Sequence, residues 1–411
     1  MNILVVTLTI IAISFWLLLV YYSILTIFGL IFRGQKKLTA PLTSYPSVTI
    51  LIPAHNEGVV IADTLFAMTK IQYPGELQIF LLNDNSKDDT GEIADYYADM
   101  YKNIYHIHVP PRKPSGKSRV LNYGLNMTDS EYICVYDADN QPEPDALRLL
   151  VEAAETTPDA VGAVGYVKTI NETTNSLTRM IALEFSVFQL TMQAGRWKLF
   201  KLGSLTGTNM LVRRSSLLDA GGYDPKALAE DADLTLALTG KGGLLPIVPE
   251  AKTWEQEPET LRVWLKQRTR WMQGNIYLIE KTLQNPVYFR GRNLIHSVQL
   301  LAVYVCFVFF LIVSDIWFFL GMFGIAESSA SVPLLVLWFE SWLIYFIQLV
   351  SSQVMDKRVG LRDLAISFLM YFTYAQLWLI LLIRGLYFQI KLKRSDDDPI
   401  WDKTERFRKF T

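Results

Sequence analysis

Three short groups of side chains in this 411-residue chain have the types and spacing for chemistry on a charged leaving group. Asp137 and Asp139 stand two apart, directly after the apolar run Tyr132–Tyr136. In extended chain, residues i and i+2 point the same way, so both carboxylates can face one pocket. Two converging carboxylates repel unless a cation lies between them. Mg2+ or Mn2+ suits one or two carboxylates completed by substrate phosphates. The bland alternative is a loop with two solvated aspartates. Glu230, Asp231 and Asp233 open a helix-like segment, where acidic residues are also ordinary N-terminal charge. Gln267-Arg268-Thr269-Arg270-Trp271 supplies two arginines able to grip phosphate. Standing alone, that motif would more commonly read as a basic amphipathic helix on anionic lipid.

These groups need a scaffold, and the pattern around them predicts one. Ser47–Pro53, Gln78–Leu82, Tyr132–Tyr136 and Gly162–Val167 read as strands. Val59–Ile71 has apolar residues at helical spacing, and a second helix follows Asp88-Asp89-Thr90. Strands alternating with helices predict βαβ units and a mostly parallel sheet. Ligands bind such sheets beyond the C-terminal ends of the strands. Polar residues cluster at those ends: His55-Asn56-Glu57, Asn83-Asp84-Asn85-Ser86 and Asp137-Ala138-Asp139.

Composition limits the rest. Lys+Arg is 39 and Asp+Glu is 40, a net charge of −1 that excludes a nucleic-acid binder by bulk charge. Hydrophobic residues make 51% and charged residues only 19%, against about 25% in soluble proteins. Part of the chain is therefore expected in lipid. Cys134 and Cys306 are far apart and support no disulfide framework, and the four histidines have no zinc spacing. Residues 1–32 carry no charged side chain, and Arg33, Lys36 and Lys37 follow. That order predicts an uncleaved transmembrane anchor with the following domain in the cytoplasm. Residues 33–290 read as the soluble body, 291–390 as a second membrane region and 391–411 as a charged tail. The second region holds about three apolar spans, near 294–325, 331–355 and 364–390. Asp356-Lys357-Arg358 and Lys391–Arg394 both read as cytoplasmic, whereas three full crossings would put the tail outside. One incomplete crossing with a cytoplasmic tail reconciles them; an external tail is the alternative.

Taken in order, the signals resemble the membrane-bound, processive family-2 glycosyltransferases, among them cellulose, hyaluronan and poly-N-acetylglucosamine synthases. The residues that carry the resemblance are Ile52–Glu57, Asn83–Ser86, Gly116-Lys117, Asp137–Asp139, Thr206–Asn209, Glu230–Asp233 and Gln267–Trp271. It implies an α/β fold: a nucleotide-binding GT-A-like domain with flanking transmembrane helices and amphipathic interface helices at Phe185–Phe200 and Leu261–Leu283. It also implies roles. Ala54 and Glu57 lie where the family contacts base and ribose of a UDP-sugar, Asp84 at the uracil and Lys117 near the nucleotide. The neighbour of Asp84, often Asp in the family, is Asn83 here. Asp137 and Asp139 are expected at diphosphate and metal, with Asp139 the more direct ligand of Mg2+ or Mn2+. Asp231 matches the general base, with Glu230 beside it. Gln267, Arg268, Arg270 and Trp271 match the motif that holds the leaving diphosphate and places the acceptor sugar. Thr206, Gly207 and Thr208 fall at the acceptor terminus.

Those types suit inverting glycosyl transfer. The acceptor hydroxyl must lose a proton to a carboxylate, the diphosphate charge must be stabilised, and both substrates must be held in line. An α-linked donor then yields a β-linked polysaccharide. UDP-N-acetylglucosamine is the favoured donor and UDP-glucose the next. The implied partners are the UDP-sugar, the growing polysaccharide and the lipid bilayer, with no nucleic acid. A small accessory membrane subunit is a further implied partner; no separate cyclic-dinucleotide-binding domain is visible, so regulation of that kind would need a partner chain. The implied location is multi-pass in a bacterial plasma membrane. The competing readings are a membrane transferase adding one sugar to a lipid carrier, and a non-catalytic membrane scaffold or channel. The tail motif Trp401–Arg406 reads either as a gating or acceptor-site element or as a disordered charged end.

Overall fold

Long apolar runs, β-branched runs and short turn clusters partition the chain into a helical region and an α/β body. A computed structural model describes residues 3–35, 41–290, 293–302, 308–324, 331–395 and 404–407. The chain opens with α1 (Ile3–Gly34), an apolar helix. The body then alternates β1 (Val48–Ala54), α2 (Ile61–Met68), β2 (Leu77–Asn83), α3 (Thr90–Met100), β3 (Ile104–His108), α4 (Lys117–Leu125) and β4 (Tyr132–Val135). It continues with β5 (Gln141–Pro142), α5 (Ala146–Thr156), β6 (Gly162–Thr169) and α6 (Ser176–Ser186). A π-helical stretch, Val187–Gln193, joins α6 to α7 (Ala194–Phe200). Then come β7 (Met210–Arg213), α8 (Arg214–Asp219), α9 (Glu230–Gly240), β8 (Ile247–Glu255) and α10 (Leu261–Gln284).

The eight strands form one sheet, ordered β3-β2-β1-β4-β7-β6-β8-β5. The four strands β3, β2, β1 and β4 are parallel. Beyond them β7 runs antiparallel to β4 and β6, and β5 antiparallel to β8, while β6 and β8 run with the first four, so the sheet is mixed but mostly parallel, as expected. The return of β7 carries Thr206–Asn209 to the same rim as the end of β4. Alternation along β1 builds two cores. Val48, Ile50, Ile52 and Ala54 pack with α2 and α5 on one face. Leu51 packs on the other with Val120 and Leu121 of α4 and Leu234 and Leu238 of α9.

The remaining helices are α11 (Asn293–Leu301), α12 (Val308–Met322), α13 (Ser331–Met355), α14 (Leu361–Met370) and α15 (Leu377–Ser395). Two stretches, Thr9–Gly34 and Leu335–Met355, are long and apolar enough to cross a membrane. Of the span expected at 294–325, residues 303–307 and 325 lie outside the described residues. The span expected at 364–390 is broken: turns separate α14 from α15, and the Tyr374 side chain in that break donates to Glu184 Oε2 at 2.8 Å. Both stretches expected as interface helices are helical, and both bridge body and helical region. The π-helical stretch packs on α1 and α13, and its Gln189 side chain bonds both the N–H and the carbonyl of Val167 in β6. α10 packs along α15.

Candidate active site

Asp231 sits in the first turn of α9, facing the loop that leads into β7. Gly207 in that loop has φ +80°, a conformation that favours glycine. A Cβ there would lie 3.5 Å from Asp231 Oδ2 and 3.6 Å from Lys117 Nζ. Lys117 starts α4 and spends all three of its protons: on Asp137 Oδ1 at 2.7 Å, Glu230 Oε1 at 3.0 Å and the Gly207 carbonyl at 2.8 Å. Burial pulls the Lys117 ammonium towards neutrality, but Asp137 and Glu230 outweigh it and raise its pKa. Asp231 is pushed up to about 7, first by burial and then by the charge of Glu230. A buried carboxyl poised near neutrality is suited to exchange a proton with a substrate hydroxyl. Thr206 Oγ1 donates to the Thr208 carbonyl at 3.0 Å, tightening the loop that passes these groups.

Asp137 and Asp139 do not share one direction, as an extended chain would have it. β4 ends at Val135, and Ala138 and Asp139 form a turn. Asp137 therefore meets Lys117, while Asp139 turns into a buried corner at the end of β8. There the N–H of Gln256 donates to Asp139 Oδ2 at 3.2 Å. Arg406, from the C-terminal tail, lays both terminal nitrogens on Asp139 at 2.9 Å. Burial raises the Asp139 pKa, Arg406 opposes, and Asp137 adds to the rise, so the two aspartates still feel each other. Asn140, fully buried, ties the corner together. Its Oδ1 accepts from Thr208 Oγ1 at 2.8 Å and Thr253 Oγ1 at 3.1 Å, and its Nδ2 donates to Glu255 Oε2 at 3.0 Å. Burial and the charge of Glu257 push Glu255 well up, and burial takes Glu257 to about 7 against the pull of Arg268.

This corner fits a cation: its deepest carboxylate already holds a guanidinium. Among the described residues no group of three or more His, Cys, Asp or Glu forms a metal cage. Two aspartates without a cage match Mg2+-type sites, which rely on substrate phosphates and water for their other positions.

The groups expected at base and ribose lie together at the ends of β1 and β2. The Asp84 N–H donates to the Ala54 carbonyl at 2.8 Å, and the Asp84 carboxylate pairs with Arg119. Glu57 is buried, its N–H donating to Thr90 Oγ1 at 2.7 Å. Its charge also reaches Arg406, which links this end to Asp139.

On α10 the motif divides. Gln267, Arg270, Trp271 and Gly274 follow helical spacing along one side. Gly274 lies against the residues that lead into α9, where a Cβ would come 2.8 Å from Ala229 Cβ. Among the described residues Gln267 Oε1 is buried without a hydrogen-bond partner. Arg268 does not join this face, contrary to the expectation that it grips diphosphate. It is fully buried and donates to Glu184 Oε2 at 2.7 Å. Its guanidinium stacks 3.9 Å from the centroid of the Trp271 indole. Trp271 in turn stacks on Phe185, with centroids 6.2 Å apart at 17°. Arg268 therefore props the indole from behind.

Sequence reasoning missed Arg119, Asn140, Glu255, Gln256 and Glu257. Asn140 directly follows Asp139, and Glu255 and Glu257 repeat the two-apart carboxylate spacing just ahead of α10; both signals were available.

The family model described as glycosyltransferase like family 2 matches residues 46–274. A probable glycosyltransferase YdaM of Bacillus subtilis is 37% identical over 401 residues, covering 95% of this chain and 96% of that protein. A beta-monoglucosyldiacylglycerol synthase of Trichormus variabilis is 32% identical over 56% of this chain and 49% of its own length. A poly-beta-1,6-N-acetyl-D-glucosamine synthase of Staphylococcus epidermidis is 26% identical over 65% of each. The fold resembles a solved mannosyltransferase of Pyrobaculum calidifontis in complex with GDP-Man and Mn2+. There the TM-score is 0.58 at 18% identity, over 89% of this chain and 99% of that one.

Proposed function

The chain belongs to the family-2-like glycosyltransferases, and on that premise we propose that it transfers hexosyl units, with inversion, from a UDP-sugar to a growing β-linked polysaccharide. UDP-N-acetylglucosamine is the favoured donor and UDP-glucose the next. The observation that carries this reading is the junction at Gly207. One glycine abuts Asp231 and Lys117, and Lys117 holds Asp137, so base and diphosphate groups border one space.

Asp231 Oδ2 takes the proton of the acceptor hydroxyl as that oxygen attacks, and Glu230 beside it keeps the Asp231 carboxyl basic enough to accept it. Lys117 fixes Asp137 and Glu230 and balances their charge. Asp139 and Asp137 would hold Mg2+ or Mn2+, which supplies charge stabilisation to the departing diphosphate. Arg270 serves the same diphosphate from α10. Trp271, backed by Arg268 and Phe185, gives the acceptor sugar a flat face. Ala54, Glu57 and Asp84 receive base and ribose, and Thr206, Gly207 and Thr208 border the acceptor end. The Mn2+ in the Pyrobaculum structure is consistent with a divalent ion here.

We place residues 1–32 and 291–390 in a bacterial plasma membrane, with the domain 33–290 and the tail 391–411 on its cytoplasmic side. The polymer would pass out through the helices, helped by an accessory membrane subunit. The relative that makes a glucosyl lipid favours a second reading, transfer of a single sugar to a lipid carrier. A screen of UDP-sugars with Mg2+ and Mn2+ on membranes holding this chain separates the two. A ladder of long products supports polymerisation. One lipid-extractable product overturns it in favour of the lipid reading. No UDP release from any donor overturns both and leaves a non-catalytic scaffold.

A further inference from the structure

The short helix α7 carries Arg196 and Lys198, and Lys201 caps its end. Among the described residues none of these three cations pairs with a carboxylate. Arg196 is the costly one, because it is only 6% exposed. Its Nη2 donates to Ser204 Oγ at 3.3 Å and to His296 Nδ1 at 2.6 Å, and its buried Nε has no partner. A ring nitrogen that accepts is unprotonated, so His296 is neutral and offers no counter-charge. Burial pulls the Arg196 pKa down, opposed only by the Tyr21 and Tyr22 hydroxyls. A guanidinium nonetheless stays protonated in proteins, and a buried charge is stable only when it is paired. The side chain is built to hold an anion.

Its place in the fold says which anion. Phe32, near the end of α1, packs in the core of the body with Trp197. Higher on α1, Gly29 abuts the Thr191 carbonyl, and the Leu25 carbonyl abuts Gly195. The body therefore climbs α1 as far as Leu25. Tyr21 and Tyr22 come next, and Tyr21 donates to Gln299 Oε1 of α11 at 3.2 Å. Tyrosine favours the headgroup level of a bilayer. Arg196 acts at that level, with Lys198 bonded to Gln35 Oε1 at 3.1 Å and Lys201 lying 5.1 Å from the Trp197 ring. Cations there attract anionic headgroups, and arginine matches a phosphate with two parallel N–H groups. We propose that Arg196 binds the phosphate of an anionic phospholipid from the inner leaflet, which supplies the counter-charge and pins α1, α7 and α11 together. The proposal rests on the membrane placement of residues 1–32 and 291–390 and is independent of donor and acceptor.

The test uses the full-length protein in nonionic detergent, stripped of native lipid. Phosphatidylglycerol is titrated in and followed by native mass spectrometry and unfolding temperature. The wild type should bind it and unfold at a higher temperature as it does. Arg196→Gln should bind it on the order of tenfold more weakly, the worth of a hydrogen bond to a charged group. Arg196→Lys keeps the charge without the planar fork and should fall between the two. Equal affinity in wild type and both variants, or no phosphatidylglycerol bound by the wild type, overturns the proposal. If Arg196→Gln does not fold, equal affinity in wild type and Arg196→Lys overturns it. Inorganic phosphate is the second arm: stabilisation of the wild type by phosphate alone, weakened in the variants, overturns the lipid source in favour of a free phosphate. Release of the protein from cell membranes without detergent overturns the membrane placement, and the lipid with it.

Discussion

Two acidic groups share the C-terminal rim of the sheet, and they are neutralised in different ways. At one end, Asp137 and Glu230 are held by Lys117, a residue fixed in the first turn of α4 and buried under the Gly207 carbonyl. At the other, Asp139 is held by Arg406, which is 267 residues away and belongs to a chain end. A lysine built into the body is a permanent part of the electrostatic frame. The difference is one of origin: one pair of carboxylates is neutralised from within the body, and the other carboxylate by a residue far away in sequence.

The strongest way to break this division is at the base. Asp231→Asn should lower transfer by about 10²–10⁴-fold, the usual worth of a positioned general base, while UDP binding with Mn2+ persists. Radiolabel transfer and equilibrium binding on the same preparation check both halves. Removing the permanent cation should be nearly as severe. Lys117→Met leaves two carboxylates and a carbonyl uncompensated, and breaking a buried ion pair from one side costs about 3–5 kcal/mol. The protein should unfold at a clearly lower temperature, and Arg406→Gln, which leaves the buried Asp139 carboxylate without its cation, should lower it comparably.

The pH dependence sharpens the same contrast. With Asp231 raised to about 7, transfer should climb roughly tenfold per pH unit below that value and level off above it. The sign on stability is opposite. An acid whose pKa is raised on folding destabilises the fold as pH rises from about 3.9, the unfolded value, towards 7. Asp231→Asn should therefore melt at a higher temperature than wild type at pH 8, although it is inactive. The smallest expected effect lies on α10. Arg268→Met removes the stack behind Trp271, worth about 2 kcal/mol when desolvated. The KM for acceptor should rise roughly tenfold with little change in UDP affinity, and Arg268→Lys should recover part of it. An equal rise in the KM for donor would return Arg268 to the diphosphate.

The parallel half of the body was legible because its pattern is local. β1, β2 and β4 are buried apolar runs followed by polar ends. Three strands were hidden. β7 is four residues long, β8 contains Pro249, Glu250 and Lys252, and β3 carries two histidines. Their pairings bring together residues distant in sequence, such as Val135 with Met210, and no local periodicity reports that. The same distance hid Arg406 on Asp139. The divergence of Asp137 from Asp139 follows from a turn that begins one or two residues earlier than an extended chain would allow. Arg268 was more readable than its motif suggested. It lies one helical turn from Trp264, itself fully buried, and so falls on the inward side of α10.

The central claim is that the two acidic groups border one nucleotide-sugar site. A density map of the full-length protein with UDP and Mn2+ tests it most directly. The account predicts the ion on Asp139 and Asp137 against the diphosphate, the uracil near Asp84, and Asp231 facing the same cleft. A nucleotide bound elsewhere, or an ion that avoids both aspartates, would contradict it.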